Sequence, residues 1–307
     1  MRLRGRCRKK VACAPPAGCT RILAASAARP PMVHLAPLVV LGCGFTGTVA
    51  AGARRAEGGR VIATTRSLVR AAELGRGGVE AHVAPSLTAA DVERLVPAGA
   101  DVLVTFPPDG VTDAAIAPAL ERARAIAYIS STAVYGGATG RVDEATPVDP
   151  GDARAAARLA AEAPYLRRGG VTLRAAGIYG PWRGLHRRLL LGQHRLVDGG
   201  RSVVSRVHVE DLARLALAAL DHAPRGEAFT VADDAPVPQI EVIAWLCRRL
   251  RIELPPAAAA GEVHETLRHD RAVSSARIQR VLGLQLLYPT YRDGFEACFA
   301  AEQETPG

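Results

Sequence analysis

Short runs of apolar residues alternate along this chain with longer stretches whose apolar positions recur every three to four residues. "LAPLVVLG", ending at Gly42, has no polar face and predicts a strand buried on both sides. "GCGFTG" then predicts a tight loop, and "GTVAAGARRAEGG" a helix that turns polar toward its end. "RVIATTR" (60–66), "VEAHVA" and "ADVLVTFPPDG" predict the second to fourth strands, the fourth stopped by two prolines. Between them lie "LVRAAELG", a helix ending at glycine, and "TAADVERLV", a helix with Thr88 as its N-cap. "DAAIAPALERAR" reads as a helix running through Pro118, "AIAYISS" as a fifth strand, "DARAAARLAAEAPYLRRG" as a helix and "VTLRAAGIYGPW" as a sixth strand. Strands and helices alternating at this spacing imply right-handed crossovers. The expected class is α/β, a Rossmann-like doubly wound parallel sheet with ligands at the carboxyl ends of its strands.

Beyond Trp182 the rhythm loosens. "RVHVEDLARLALAALDHA" predicts a short strand and an amphipathic helix, "EAFTVADD" a strand, "PQIEVIAWLCRRLRI" a helix, "PPAAAAGE" a loop, and "SSARIQRVLG" and "TYRDGFEACFAAE" two last helices. The expected organisation is a tail over 1–31, a dinucleotide-binding domain over 36–180 and a smaller α/β lobe over 181–307. That lobe covers the ligand and packs in part on the first sheet.

The 307 residues, 49% hydrophobic, can fill a substantial core, and the formal charge of +9 first suggests a nucleic-acid or membrane partner. The charge sits in the tail. Residues 1–31 hold Arg2, Arg4, Arg6, Arg8, Lys9, Lys10, Arg21 and Arg29 and no acidic residue, so the body is nearly neutral. A neutral body argues against a nucleic-acid partner. The tail reads as disordered: a transit-like or export-like segment, a basic arm, or an extension upstream of Met32. Pro30 to Ala53 carries no Asp, Glu, Lys or Arg and is long enough for a membrane span, but its four glycines fit the strand–loop–helix pattern instead. Cys7, Cys13 and Cys19 match no common zinc spacing, and Cys43, Cys247 and Cys298 are scattered. Reduced cysteines, no metal and a cytoplasmic setting are expected.

Gly42, Gly44 and Gly47 have the Gly-x-Gly-x-x-Gly spacing between a strand and a helix. The first permits a tight turn, the second lets the backbone approach a pyrophosphate, and the third allows helix and strand to pack closely. Phe45 and Thr46 complete this cofactor loop. The second strand ends in Thr64, Thr65 and Arg66, with Arg70 one turn on, where an acidic residue would otherwise bind a ribose 2′-hydroxyl. Arg66 therefore either meets a 2′-phosphate, favouring NADP with NAD possible, or lies on the surface.

As a set, "VVLGCGFTG", "ISSTAVYG", "LRAAGIYGP" and "RVHVEDLA" resemble the short-chain dehydrogenase/reductase superfamily, in its extended NAD-dependent epimerase/dehydratase type, over about residues 38–300. The resemblance implies that Ser131, four residues before the Tyr of "VYG", holds a substrate hydroxyl or carbonyl, with Ser130 beside the cofactor. It also implies an acid/base Tyr-x-x-x-Lys on the next helix. Aligned on Glu162, the Tyr position is Arg154 and the Lys position Arg158, and the only lysines in the chain are Lys9 and Lys10. Arg158 can still bind a ribose or phosphate, although Arg154, Arg158 and Glu162 also suit a solvated helix face. "APS" (Ala84 to Ser86) and "TFPPD" depart from the family pattern around the cofactor. Tyr179 is a candidate substitute acid, and Trp182 lies close by. His208 and Asp211 either face the cleft, or Glu210 or Asp211 caps the helix that starts there. The expected function is an atypical NAD(P)-dependent oxidoreductase or epimerase-like enzyme acting on a small polar substrate. The alternative is a dinucleotide-binding sensor or interaction protein without turnover.

Overall fold

The sheet order follows from six parallel crossovers. The computed structural model describes residues 35–258 and 270–304, so the basic tail with Cys7, Cys13 and Cys19, and the end of the "PPAAAAGE" loop, lie outside the described residues. Strand β1 (Leu38–Leu41) leads to helix α1 (Phe45–Ala56), β2 (Val61–Thr65), α2 (Leu68–Arg76), β3 (Glu80–Val83), α3 (Ala89–Leu95) and β4 (Asp101–Val104). Next come α4 (Thr112–Ile116), β5 (Ala125–Ser131), β6 (Gly140–Val142), α5 (Ala153–Leu166), β7 (Val171–Ala175) and β8 (Gly177–Tyr179). The later part holds α6 (Leu185–Leu190), β9 (Val203–Val204), β10 (Arg206–His208), α7 (Val209–His222), β11 (Ala228–Val231) and β12 (Val237–Pro238). Helix α8 (Gln239–Leu250), β13 (Arg271–Val273), α9 (Ala276–Leu282) and α10 (Tyr291–Glu304) follow.

Seven strands form a parallel sheet in the order β11-β7-β5-β4-β1-β2-β3. Period two along the strands separates its faces. Leu38 and Val40 face a layer of α1, α7 and α9, whereas Val39 and Leu41 face α3, α4 and α5. Both faces are covered, which is why the strands read as unbroken apolar runs. At the amino end, buried Asp101 accepts two hydrogen bonds from Arg124 at 2.7 Å each and lies 3.5 Å from buried Arg54. Strand β11 and helix α7, from the later part of the chain, complete the sheet and one of its helical layers. A third apolar cluster joins α6, α8 and α10 around Phe295.

Two local expectations change, and one sheet had none. Pro118 does not continue a helix: α4 stops at Ile116 and a 3₁₀ turn spans Ala117–Leu120. The sixth strand breaks at Ala176, so that β7 stays in the main sheet while β8 pairs with β10. The four-stranded sheet β12-β9-β13-β6 was not visible as a pattern, since its strands are only two or three residues long. By contrast, Thr88 caps α3 as expected, in a capping box with Asp91. Among the described residues, no helix is long and apolar enough to cross a membrane.

Candidate active site

The β1–α1 turn is built around backbone that must stay bare. Gly42 has φ +79°, and a Cβ there would lie 2.7 Å from the Phe106 Cβ. A Cβ at Gly47 would meet Val40 at 2.8 Å and the Thr105 hydroxyl at 2.9 Å, so only glycine lets α1 pack this closely on the strand. At Gly44 the added carbon would find nothing nearer than the Gly42 carbonyl, at 3.8 Å: its free face opens on the cleft. The turn is pinned from both sides. The Gly42 amide donates to Thr64 Oγ1 at 2.9 Å, and Thr105 Oγ1 donates to the Gly42 carbonyl at 2.7 Å. Helix α1 begins at Phe45 with no side-chain cap and no acidic residue in its first turn, leaving its positive end for an anion. These features fit the pyrophosphate of a dinucleotide.

This turn forms one wall of a cavity of about 1000 Å³, which Gly42, Gly44, Phe45 and Thr46 line. The end of β2 supplies another wall through Thr64, Thr65, Arg66 and Arg70. Arg66 is exposed at the mouth. Ser67 caps α2, accepting from the Arg70 amide at 3.3 Å, and the Arg70 guanidinium spans Thr48 Oγ1 (2.6 Å) and Glu73 Oε2 (2.8 Å). The two departures from the family pattern, Ala84 to Ser86 and Thr105 to Asp109, line the same cavity. Arg183, which the sequence reading missed, also lines it and lies 5.0 Å over the Phe45 ring.

At the carboxyl end of β5 the two serines diverge, because successive residues of a strand point to opposite faces. Buried Ser130 donates to Glu162 Oε1 at 2.6 Å. Glu162 in turn receives the Arg174 guanidinium at 2.8 Å, and Arg174 reaches the Tyr135 hydroxyl at 3.3 Å. The Ser130 hydroxyl is thus committed to this network, although the residue still borders the large cavity. Ser131 Oγ accepts from the Ala133 amide at 3.2 Å and lines both the large cavity and a smaller one of about 260 Å³. Arg158 also lines both cavities. Arg154, Ser205 and Arg271 line the smaller one alone. Arg271 donates to the carbonyls of Ala138 (2.7 Å) and Thr132 (2.9 Å). Neither Ser205 nor Arg271 carried a sequence signal: Ser205 sits between two very short strands, β9 and β10, and Arg271 begins a third, β13.

Other candidates are not brought together with Ser131. Tyr179 is buried in the third apolar cluster, and neither cavity has it in its lining. Its hydroxyl has no hydrogen-bond partner among the described residues, and burial raises its pKa. After the break at Ala176, β8 pairs with β10; its Gly177 and Ile178 still line the cavities, whereas Tyr179 lines neither. His208 caps α7, with Nδ1 accepting from the Glu210 amide at 3.4 Å, and its Nε2 lies 3.7 Å from the Cys298 sulfur. Asp211 accepts from the amides of Leu287 (2.7 Å) and Tyr288 (2.9 Å), tying the C-terminal segment to the body. Trp182 is exposed, with φ 63°. Among the described residues no cluster of His, Cys, Asp or Glu is arranged to hold a metal ion.

A glycine turn and a bare helix terminus, set at the carboxyl ends of a doubly wound parallel sheet, define a Rossmann-type dinucleotide-binding protein. The chain belongs to the NAD dependent epimerase/dehydratase family, whose model matches residues 38–232. A 3-diazoavenalumate denitrifying reductase from Streptomyces sp. is 32% identical over 176 residues, covering 50% of this chain and 57% of that relative. A functionally unknown conserved protein from Silicibacter pomeroyi DSS has a similar structure, with TM-score 0.76, 31% identity, and coverage of 87% of this chain and 99% of that one. dTDP-glucose 4,6-dehydratase from Bacillus anthracis str. Ames, solved in complex with NAD, shares the fold at TM-score 0.72 and 16% identity, covering 88% of this chain and 97% of that one.

Proposed function

We propose that this chain is an NADP(H)-preferring oxidoreductase of atypical type that acts on a small polar substrate beside Ser131. The observation that carries this reading is the meeting of two cavities at Ser131 and Arg158. The large cavity, from the glycine turn to Ser131, suits a dinucleotide. The small one, whose walls include Val203, Ser205 and Arg271 from the substrate-covering lobe after residue 181, suits the substrate. When bound, the nicotinamide would supply or accept a hydride. Arg66 and Arg70 would favour a 2′-phosphate over a free hydroxyl.

In this reading the chain's own groups position and polarise. The Ser131 hydroxyl donates to the reacting oxygen or nitrogen, and Arg158 holds a fixed positive charge over the charge that develops there. No lysine follows Lys10, and arginine does not deprotonate near neutral pH, so neither Arg154 nor Arg158 can relay a proton as a Tyr-x-x-x-Lys pair would. That favours substrates whose reduction draws its proton from water or needs none. The similarity to a reductase supports reduction over epimerisation. The free buried thiols of Cys43, Cys247 and Cys298 suit a reducing, cytoplasmic setting.

A second reading, a dinucleotide sensor without turnover, is favoured by one observation. The described residues lining the small cavity include no carboxylate, histidine, tyrosine or lysine. Thermal shift with NAD, NADH, NADP and NADPH, followed by turnover assays on small carbonyl and diazo compounds, tests both. NADP(H) should raise the melting temperature above the NAD(H) value at equal concentration. No shift with any of the four would sink the cofactor assignment. Tight binding with no turnover across the panel would favour the sensor.

A further inference from the structure

Arg183 is the one described lining residue of the large cavity that comes from the turn between β8 and α6. Its backbone is fixed by reciprocal hydrogen bonds with Gly180, at 2.9 and 3.1 Å. Between the two, Trp182 takes φ 63°, a left-handed conformation that a bulky side chain adopts only where its surroundings impose it. Helix α10 supplies that constraint. The Trp182 amide donates to Glu302 Oε1 at 2.6 Å, and His186 Nε2 lies 2.8 Å from the same oxygen. The turn also rests on the start of α1. A Cβ at Gly180 would lie 3.0 Å from Phe45 Cζ, so the ring needs bare backbone there, and the Arg183 guanidinium lies over that ring at 5.0 Å.

Among the described residues the Arg183 side chain makes no hydrogen bond and no ion pair; its one partner is the Phe45 ring. A guanidinium lying over a ring keeps its N–H edge for an anion. The other arginines of this cavity are placed elsewhere. Arg66 follows β2, Arg70 is engaged by Thr48 and Glu73, and Arg158 borders the small cavity. Arg183 alone stands at Phe45, where α1 begins with no side-chain cap and no acidic residue in its first turn. Asp109, the one carboxylate among the described lining residues, accepts from the amides of Val111 and Thr112.

Resting on the reading that the large cavity holds the dinucleotide, we propose that Arg183 is a diphosphate-binding residue, its guanidinium donating to the pyrophosphate that the α1 terminus receives. Its planar fork and permanent charge suit phosphate oxygens. The diphosphate is common to NAD and NADP. Arg183 therefore contributes affinity for both and leaves the choice between them to the end of β2.

The test is calorimetric titration of the full chain with NADP, NAD, ADP and adenosine 2′-monophosphate. Arg183→Met keeps an apolar stem over Phe45 and removes the guanidinium. It should weaken NADP, NAD and ADP by a common factor of about ten or more and leave adenosine 2′-monophosphate unchanged. Arg183→Lys should recover part of the loss, since it restores the charge without the fork. Arg183 is exposed, so both variants are expected to fold, and circular dichroism checks this. Three results overturn the assignment while wild type still binds dinucleotide. Unchanged affinity for ADP would place Arg183 at the nicotinamide half, a loss confined to NADP would place it at the 2′-phosphate, and an equal loss for adenosine 2′-monophosphate would mark a general field effect. If wild type binds none of the four, the cofactor reading fails and takes this assignment with it.

Discussion

Ser130 donates its hydroxyl to Glu162 across 2.6 Å, and this bond links the tip of strand β5 to helix α5 behind the cleft. Glu162 is 1% exposed and is also the carboxylate partner of Arg174, whose side chain is 11% exposed. The adjoining Ser131 lines both cavities, whereas the Ser130 hydroxyl is committed to Glu162. The network acts by positioning, since neither Glu162 nor Arg174 lines either of these two cavities.

Removing one member of a buried ion pair leaves the other charge uncompensated. Glu162→Ala should therefore destabilise the fold by about 3 kcal/mol or more, and Ser130→Ala by about 1 kcal/mol. Urea unfolding followed by circular dichroism measures both. A loss below about 1 kcal/mol for Glu162→Ala would show that water already compensates Arg174.

Arg66 stands exposed at the mouth of the large cavity, immediately after β2. Arg66→Asp replaces attraction for a 2′-phosphate by repulsion, so affinity for NADP should fall about tenfold or more while that for NAD changes little. Fluorescence titration with both reduced cofactors provides the comparison. Equal changes would mean that Arg66 does not read the 2′-phosphate.

In the proposed site Ser131 positions the reacting group, whereas Tyr179 is buried in a neighbouring core. With a turned-over substrate, Ser131→Ala should lower kcat by about 10- to 1000-fold and leave the dinucleotide Kd nearly unchanged. Tyr179→Phe should alter neither, because its hydroxyl points into the third apolar cluster, where an added Gly294 Cβ would collide with it. Steady-state kinetics beside cofactor titration distinguishes the two. A large kcat loss in Tyr179→Phe would return that residue to the site.

The central sheet was legible because each strand is an apolar run with a helix of regular period after it, and the glycine turn because its geometry is local. What failed was whatever depended on distant chain segments. Arg271 reaches the small cavity from a three-residue strand, too short to show a period, and its neighbours there come from β5, α5 and β9. Tyr179 looked continuous with the sixth strand. The available signal was Gly177, which follows the bend and packs against the Ser205 carbonyl, 3.5 Å from where a Cβ would lie. His208 and Asp211 were placed at the correct helix start, but the partners of Asp211, the amides of Leu287 and Tyr288, belong to a segment over seventy residues later.

Asp113 gives the protein a pH dependence whose sign is opposite to that of a salt-bridged carboxylate. It is 3% exposed, and burial pushes its pKa up from 3.8 to about 6 despite the hydrogen bond donated by the Tyr165 hydroxyl at 2.8 Å; the Asp109 carboxylate adds to the rise. A carboxyl with a raised folded-state pKa stabilises the fold most below its unfolded value, and that contribution is lost as pH climbs through the folded one. The window therefore runs from about pH 4 to about pH 6. Asp109, held down at about 2 by hydrogen bonds from Thr112 and Val111, stays ionised throughout and adds no slope there. Asp233, pushed up to about 7 by burial, adds a second decline in the same direction. Asp113→Asn keeps an acceptor for Tyr165 and removes the titration. The stability difference between wild type and this variant should accordingly shift by about 2 kcal/mol between pH 4.5 and pH 7.5, wild type losing ground, whereas the Asp233 contribution cancels. Urea midpoints at pH 4.5, 6 and 7.5 measure it. Parallel curves for the two proteins would show that Asp113 is solvated in the folded state, and a wild type that gains on the variant as pH rises would reverse the assigned sign.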